Sequence, residues 1–129
     1  MKLNLILHEN ESISTLDNLH PSQLETVIDS SCELINCHRL FEINHQLIPE
    51  ILKKVQKEGT IDFTVTNAVK ACGDFSRGVI DVMQLSSIMG MKTAYFDLNS
   101  IGGLLANSGF EVVQVTSRDY YHKIIARRK

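Results

Sequence analysis

The stretch DLNSIGGLLANSGFEVVQVTSRDYYHKIIARR, residues 97–128, reads as one helix followed by two strands. Asp97 is a good N-cap, because its carboxylate accepts from the free N–H groups of a first helical turn. Leu98, Ile101, Leu104 and Leu105 then recur at helical spacing and define a stripe for burial. Gly102 and Gly103 inside this helix cost about 1 kcal/mol each relative to Ala, which implies close packing against a sheet. Ser108-Gly109 ends the helix and residues 110–116 (FEVVQVT) read as a strand. Ser117-Arg118-Asp119 forms a turn, and residues 120–126 (YYHKIIA) return as an antiparallel partner.

Working back toward the N-terminus, strand and helix patterns alternate. Residues 60–66 (TIDFTVT) place Ile61, Phe63 and Val65 on one face of a strand. Before them Leu47, Ile48, Ile51, Leu52 and Val55 follow helical spacing, with Gly59 as the expected stop. Residues 33–38 (ELINCH) and the opening 2–8 (KLNLILH) read as strands, with a weaker one at 13–16 and Asp17-Asn18 as turn formers. Pro21 suits the first turn of a short helix carrying Leu24, Val27 and Ile28. Residues 67–90 read as helical with a break at Cys72-Gly73-Asp74 or near Gly78, and Val79, Ile80, Val82, Met83, Leu85 and Ile88 would cover a sheet face. Strands separated by helices need right-handed crossovers, so the expected fold is an α/β layer with a mostly parallel sheet and a C-terminal antiparallel hairpin.

Composition narrows the classes. A chain of 129 residues, 43% hydrophobic and 22% charged, suits one domain over residues 1–129. The net charge of −2 argues against a nucleic-acid binder, and no run approaches the roughly 18 apolar residues of a membrane span. The apolar opening is too short for a signal-peptide core, and three cysteines suit a reducing compartment, so the expected location is cytoplasmic.

From Cys32 onward the pattern resembles the second half of a class I S-adenosylmethionine-dependent methyltransferase domain. The resemblance rests on CELINCH with the following RLFEI and IPEILK, on GTIDFTV, and on the closing helix and hairpin of residues 97–128. It implies a Rossmann-like methyltransferase-type sheet, here with a reduced N-terminal half. The family binds its cofactor through a glycine-rich loop after the first strand, where bare backbone approaches the ligand. This chain has no glycine before Gly59, and the corresponding loop reads Leu7-His8-Glu9-Asn10-Glu11-Ser12. The resemblance lays Asp17 on the acidic residue that holds the ribose, whereas its local context reads as a turn former. No Asn/Asp-Pro-Pro-aromatic motif follows CELINCH. Compact methyltransferase-like chains of this kind also resemble those carried by bacteriophages, so a virion component is the alternative location.

In an open parallel sheet, ligands sit outside the carboxyl ends of the strands. That rule gathers His8, Glu9, Asp17, His38 with Arg39, and Asn67 as a candidate strand-end pocket. No catalytic residue is assigned. The three cysteines and five histidines lack the paired spacing of a zinc site, so no metal is expected. Cys72, beside Gly73-Asp74, reads as a partly buried structural cysteine. Val112, Val113, Val115, Tyr120, Tyr121, Ile124 and Ile125 give the hairpin an apolar edge suited to a protein partner or a second copy. The expected function is a non-catalytic methyltransferase-like interaction or structural module with no cofactor. The alternative is an active enzyme using S-adenosylmethionine through an atypical loop or with a completing partner subunit. A small-ligand binder using the strand-end pocket is a third possibility.

Overall fold

The computed structural model describes residues 1–6, 11–90, 92 and 94–129. Its frame is a sheet of β1 (Lys2–Leu5), β2 (Asp17–Leu19), β3 (Cys32–His38), β4 (Val55–Thr66), β5 (Phe110–Arg118) and β6 (Tyr121–Arg128), ordered β2-β1-β3-β4-β6-β5. β2, β1, β3 and β4 are mutually parallel, and β6 runs antiparallel to both β4 and β5. The helices are α1 (Leu40–Ile43), α2 (Ile48–Lys54), α3 (Ala68–Ser76), α4 (Val82–Met89) and α5 (Leu98–Asn107), with a 3-10 turn at Pro21–Thr26. This is the expected α/β sheet with a C-terminal antiparallel hairpin.

Handedness explains where the helices lie. The connections β2 to β3, β3 to β4 and β4 to β5 all step in one direction along the sheet, so right-handed crossovers put them on one face. Their side chains Leu24, Ile48, Ile51, Leu52, Ile101 and Leu105 accordingly meet the strand residues of that face in one cluster. Leu3, Ile35, Ile61 and Ala126, aligned across four strands, are essentially without exposure there. Phe41 of α1 stacks on Phe63 of β4 with ring centroids 4.2 Å apart. The connection β1 to β2 alone steps the other way along the sheet. It spans residues 6–16, short of the roughly one dozen residues that a parallel crossover usually needs. The outer face carries the next register row, Asn4, Asn36, Asp62 and Ile125.

Several expectations are corrected. Residues 13–16 form a turn, closed by Leu16 N–H donating to Ile13 O at 3.1 Å, and β2 begins only at Asp17. Gly59 does not stop a helix. It lies within β4, where a Cβ would sit 2.8 Å from Cys32 O, so the strands approach too closely there for a side chain. α3 runs through Cys72-Gly73-Asp74, and the helical stretch breaks near Gly78, the second of the two expected places, while Cys72 is exposed. α4 covers no sheet face: none of its residues is buried, with Val82 and Met83 62% and 75% exposed, while before it Val79 is exposed and Ile80 is buried. It packs on α3 beside the sheet's carboxyl edge instead. A Cβ added at Gly102 or Gly103 would meet no atom within 4 Å, so close packing does not explain these glycines. Asp97 does cap α5, accepting from Ser100 N–H at 2.7 Å.

Candidate functional site

From β1 the chain passes to β2 on one side, while β3 lies on the other, so the topological switch point falls between the carboxyl ends of β1 and β3. A cleft of about 320 Å³ lies there, lined by Asn4, Leu5, Glu11, Ile13, Asn36 and His38. His38 ends β3 at φ 38°, in the left-handed region, where the β3–β4 register also slips. Burial, then the neighbouring Arg39 cation, lowers its pKa from the ordinary histidine value.

A chain of amides crosses this crevice. Asn36 Nδ2 donates to Asn4 Oδ1 at 3.0 Å, and Asn4 Nδ2 donates to Asn18 Oδ1 at 2.8 Å and to Glu11 O at 3.0 Å. Asn18 then grips the loop before it: its Oδ1 accepts from Ile13 N–H at 2.9 Å, and its Nδ2 donates to Ile13 O and Leu16 O. Asn4 is only 2% exposed, yet both its amide hydrogens and its oxygen are satisfied. That is the condition for burying an amide cheaply.

The residues expected at the strand ends are dispersed. His38 lines the switch-point cleft, whereas His8 and Glu9 lie outside the described residues. Asp17 is corrected: it opens β2 opposite Leu3 rather than ending a strand. Its charge is felt at the other edge, where it helps raise the pKa of Cys32 at the start of β3, burial being the main cause. The late start of β2 produces this shift. Asn67 follows β4, and its side chain caps α3 by accepting from Lys70 N–H at 3.1 Å. It lines a different cleft, of about 500 Å³, with Tyr95, Phe96 and His122.

A buried charged cluster at the same edge escaped the sequence reading. Glu42 of α1 is wholly buried, and its Oε1 accepts from Thr66 N–H at 2.8 Å and from Thr66 Oγ1 at 2.7 Å. Lys92 Nζ stands 3.6 Å from that carboxylate with its side chain 5% exposed, and donates to Thr66 Oγ1 and to Ile88 O. Burial pushes the Lys92 pKa down, opposed by Glu42 and reinforced by Arg39. The cluster ties α1, the end of β4 and the segment after α4 together. Its one trace in the sequence is a carboxylate inside the apolar run Leu40-Phe41-Glu42-Ile43.

The frame is that of a class I S-adenosylmethionine-dependent methyltransferase fold. No protein-family model matches the chain, and no curated protein matches it in sequence. Solved structures do match. An S-adenosylmethionine-dependent methyltransferase from Mesorhizobium loti aligns with 98% of this chain and 79% of its own length, at 11% identity and TM-score 0.62. One from Methanosarcina mazei aligns with 88% of this chain and 66% of its own, at 13% identity and TM-score 0.56. The magnesium protoporphyrin IX methyltransferase of Synechocystis with bound SAH gives 88% and 51%, at 11% identity and TM-score 0.55. This chain therefore spans about half to four fifths of these proteins, and the likeness is one of fold.

The carboxyl end of β2 is taken up by local hydrogen bonds. Leu19 ends β2, and the following His20 spends its ring on capping the 3-10 turn, accepting from Ser22 N–H at 3.1 Å. Glu11 is a carboxylate among the described residues that lines the switch-point cleft, and the amides of Asn4 and Asn18 are bonded to each other and to the loop.

Proposed function

We propose that this is a methyltransferase-like domain that does not transfer methyl groups and acts as an interaction module. The observation that carries the reading is the Asn36–Asn4–Asn18 amide chain across the switch point, which holds residues 11–18 against the sheet. A cofactor placed there would have to break those hydrogen bonds, each worth about 1 kcal/mol net and more if a buried partner is stranded. The absence of glycine before Gly59 points the same way, since the resemblance calls for bare backbone in the loop after the first strand.

The partner surface is the β5 edge, where Val112, Val113 and Val115 are 40%, 50% and 43% exposed. An open edge with apolar side chains invites another chain. The register slip between Val112 and Gln114 twists this edge, so side-chain packing rather than a long added strand is the mode. The partner is a second copy or another protein. Among the described residues, no helix is long and apolar enough to cross a membrane.

Equilibrium dialysis with labelled S-adenosylmethionine, run beside light scattering, tests the reading. The expected result is no retained cofactor and a mass above the monomer, or a monomer that captures a partner lost on Val113→Lys. Retained cofactor would favour the second reading, an active enzyme, for which the remaining cleft of about 320 Å³ beside His38 speaks.

A further inference from the structure

On the outer face, where the carboxyl ends of β3, β4 and β5 meet the start of β6, a second cleft of about 350 Å³ is lined by His38, shared with the switch-point cleft, and by Arg39, Arg118, Lys123 and Asp119. Thr64, Thr116 and Tyr121 add hydroxyls to its walls. Thr64, Lys123 and Thr116 sit side by side in register across β4, β6 and β5, so one row of the bare face forms its floor.

The arginines of this chain separate into two groups. Arg77 pairs with Asp74, Arg127 with Glu111, and Arg128 donates to Val55 O and Ser30 Oγ. The two others, Arg39 and Arg118, pair with no carboxylate among the described residues, and both line this one cleft. Arg39 is held with its guanidinium carbon 4.0 Å over the Tyr121 ring, and its buried Nε has no hydrogen-bond acceptor among the described residues. Stacking fixes the plane of a guanidinium without using its hydrogen-bonding edge. Two carboxylates temper the field: Asp119 in the wall, and Asp62, whose Oδ2 is 3.5 Å from Lys123 Nζ. Neither carboxylate forms an ion pair with Arg39 or Arg118.

We propose that this cleft binds the phosphate group of a phosphorylated small molecule. A phosphate offers several acceptor oxygens and a double negative charge, which matches two unpaired guanidinium groups, an ammonium and three hydroxyls better than a single carboxylate would. The volume exceeds that of a bare anion and leaves room for the esterified group against Tyr121. His38 lines both this cleft and the switch-point crevice, whereas Arg118 lines this cleft and not the crevice, so Arg118 tells the two sites apart. Failure of phosphate binding would leave the interaction-module reading untouched.

The test is a nitrogen–proton NMR titration of the full chain with inorganic pyrophosphate, at ionic strength held constant with sodium chloride. Saturable shifts at the Thr64, Thr116 and Tyr121 amides are expected. Arg118→Ala should weaken binding at least about tenfold, as loss of one charge-assisted contact does. Arg118 is exposed, so its loss leaves folding intact, and Lys57→Ala at the far end of β4 should leave the affinity unchanged. Shifts that rise linearly without saturation, shifts reproduced by sodium chloride alone, or an unchanged affinity in Arg118→Ala would each overturn the proposal.

Discussion

The two faces of the sheet are one register step apart and opposite in chemistry. On the inner face Leu3, Ile35, Ile61 and Ala126 are sealed under helices, while on the outer face Asn4, Asn36, Asp62 and Ile125 form the adjacent row. Parallel sheets usually hide both faces under helices. Here residues 11–18, leading into β2, are pinned by asparagine amides. Three of the four residues in the outer row are polar, and Asn36 donates to Asn4 within it. Asn4 and Asn36 also line the crevice between the carboxyl ends of β1 and β3.

The largest effect should come from disturbing the wholly buried Glu42 carboxylate. Glu42→Ala should cost about 3–5 kcal/mol, because it strands Lys92 as a buried cation. Urea denaturation measures it, and a change near zero would mean that the cluster is wetter than its burial implies. Next, Ile61→Ala should cost about 2–5 kcal/mol by leaving a cavity under the helices. The neighbouring Asp62→Ala, on the outer row with only a long contact to Lys123, should cost no more than about 1 kcal/mol. Equal costs would erase the distinction between the faces.

Asn4→Ala probes the same contrast from the outer side. It removes the central amide and leaves Asn36 and Asn18 each short of a partner, so a loss of about 1–3 kcal/mol is expected. Hydrogen exchange should localise the effect to residues 11–18. The smallest effect is a pH dependence. Burial and Arg39 depress the His38 pKa, so the unfolded chain takes up a proton first as pH falls. The His38 contribution is fully present above the usual histidine value of about 6.5 and is lost as pH drops through the lower folded value. His38→Asn, which tolerates the left-handed backbone, should flatten that limb. The losses from Asp74 and Asp97, held below their ordinary range by hydrogen bonds from Tyr120 and Ser100 respectively, come at more acid pH and should persist.

Those contrasts also mark what was legible in the sequence. The inner-face strands read directly, because Ile61, Phe63 and Val65 alternate with polar neighbours, and Asp97 announced α5 by its capping chemistry. β2 did not, because Ile13 and Leu16 outrank Asp17-Asn18-Leu19 in strand propensity, and only the pairing of Asn18 with Asn4 fixes the register. α4 misled for a related reason: its apolar residues have helical spacing, but spacing does not say whether anything covers them. Of the strand-end residues, His38 followed from the end of a clear strand, and Asp17 was displaced with β2. The Glu42–Thr66–Lys92 cluster joins residues distant in the chain, and no local pattern encodes such a meeting.

Whether amides close the switch point to the fold's cofactor is decided by calorimetric titration of the full chain with S-adenosylhomocysteine. Heats no larger than dilution are expected up to about millimolar ligand, a free energy weaker than about −4 kcal/mol. Micromolar binding that weakens in His38→Ala would contradict the closed crevice.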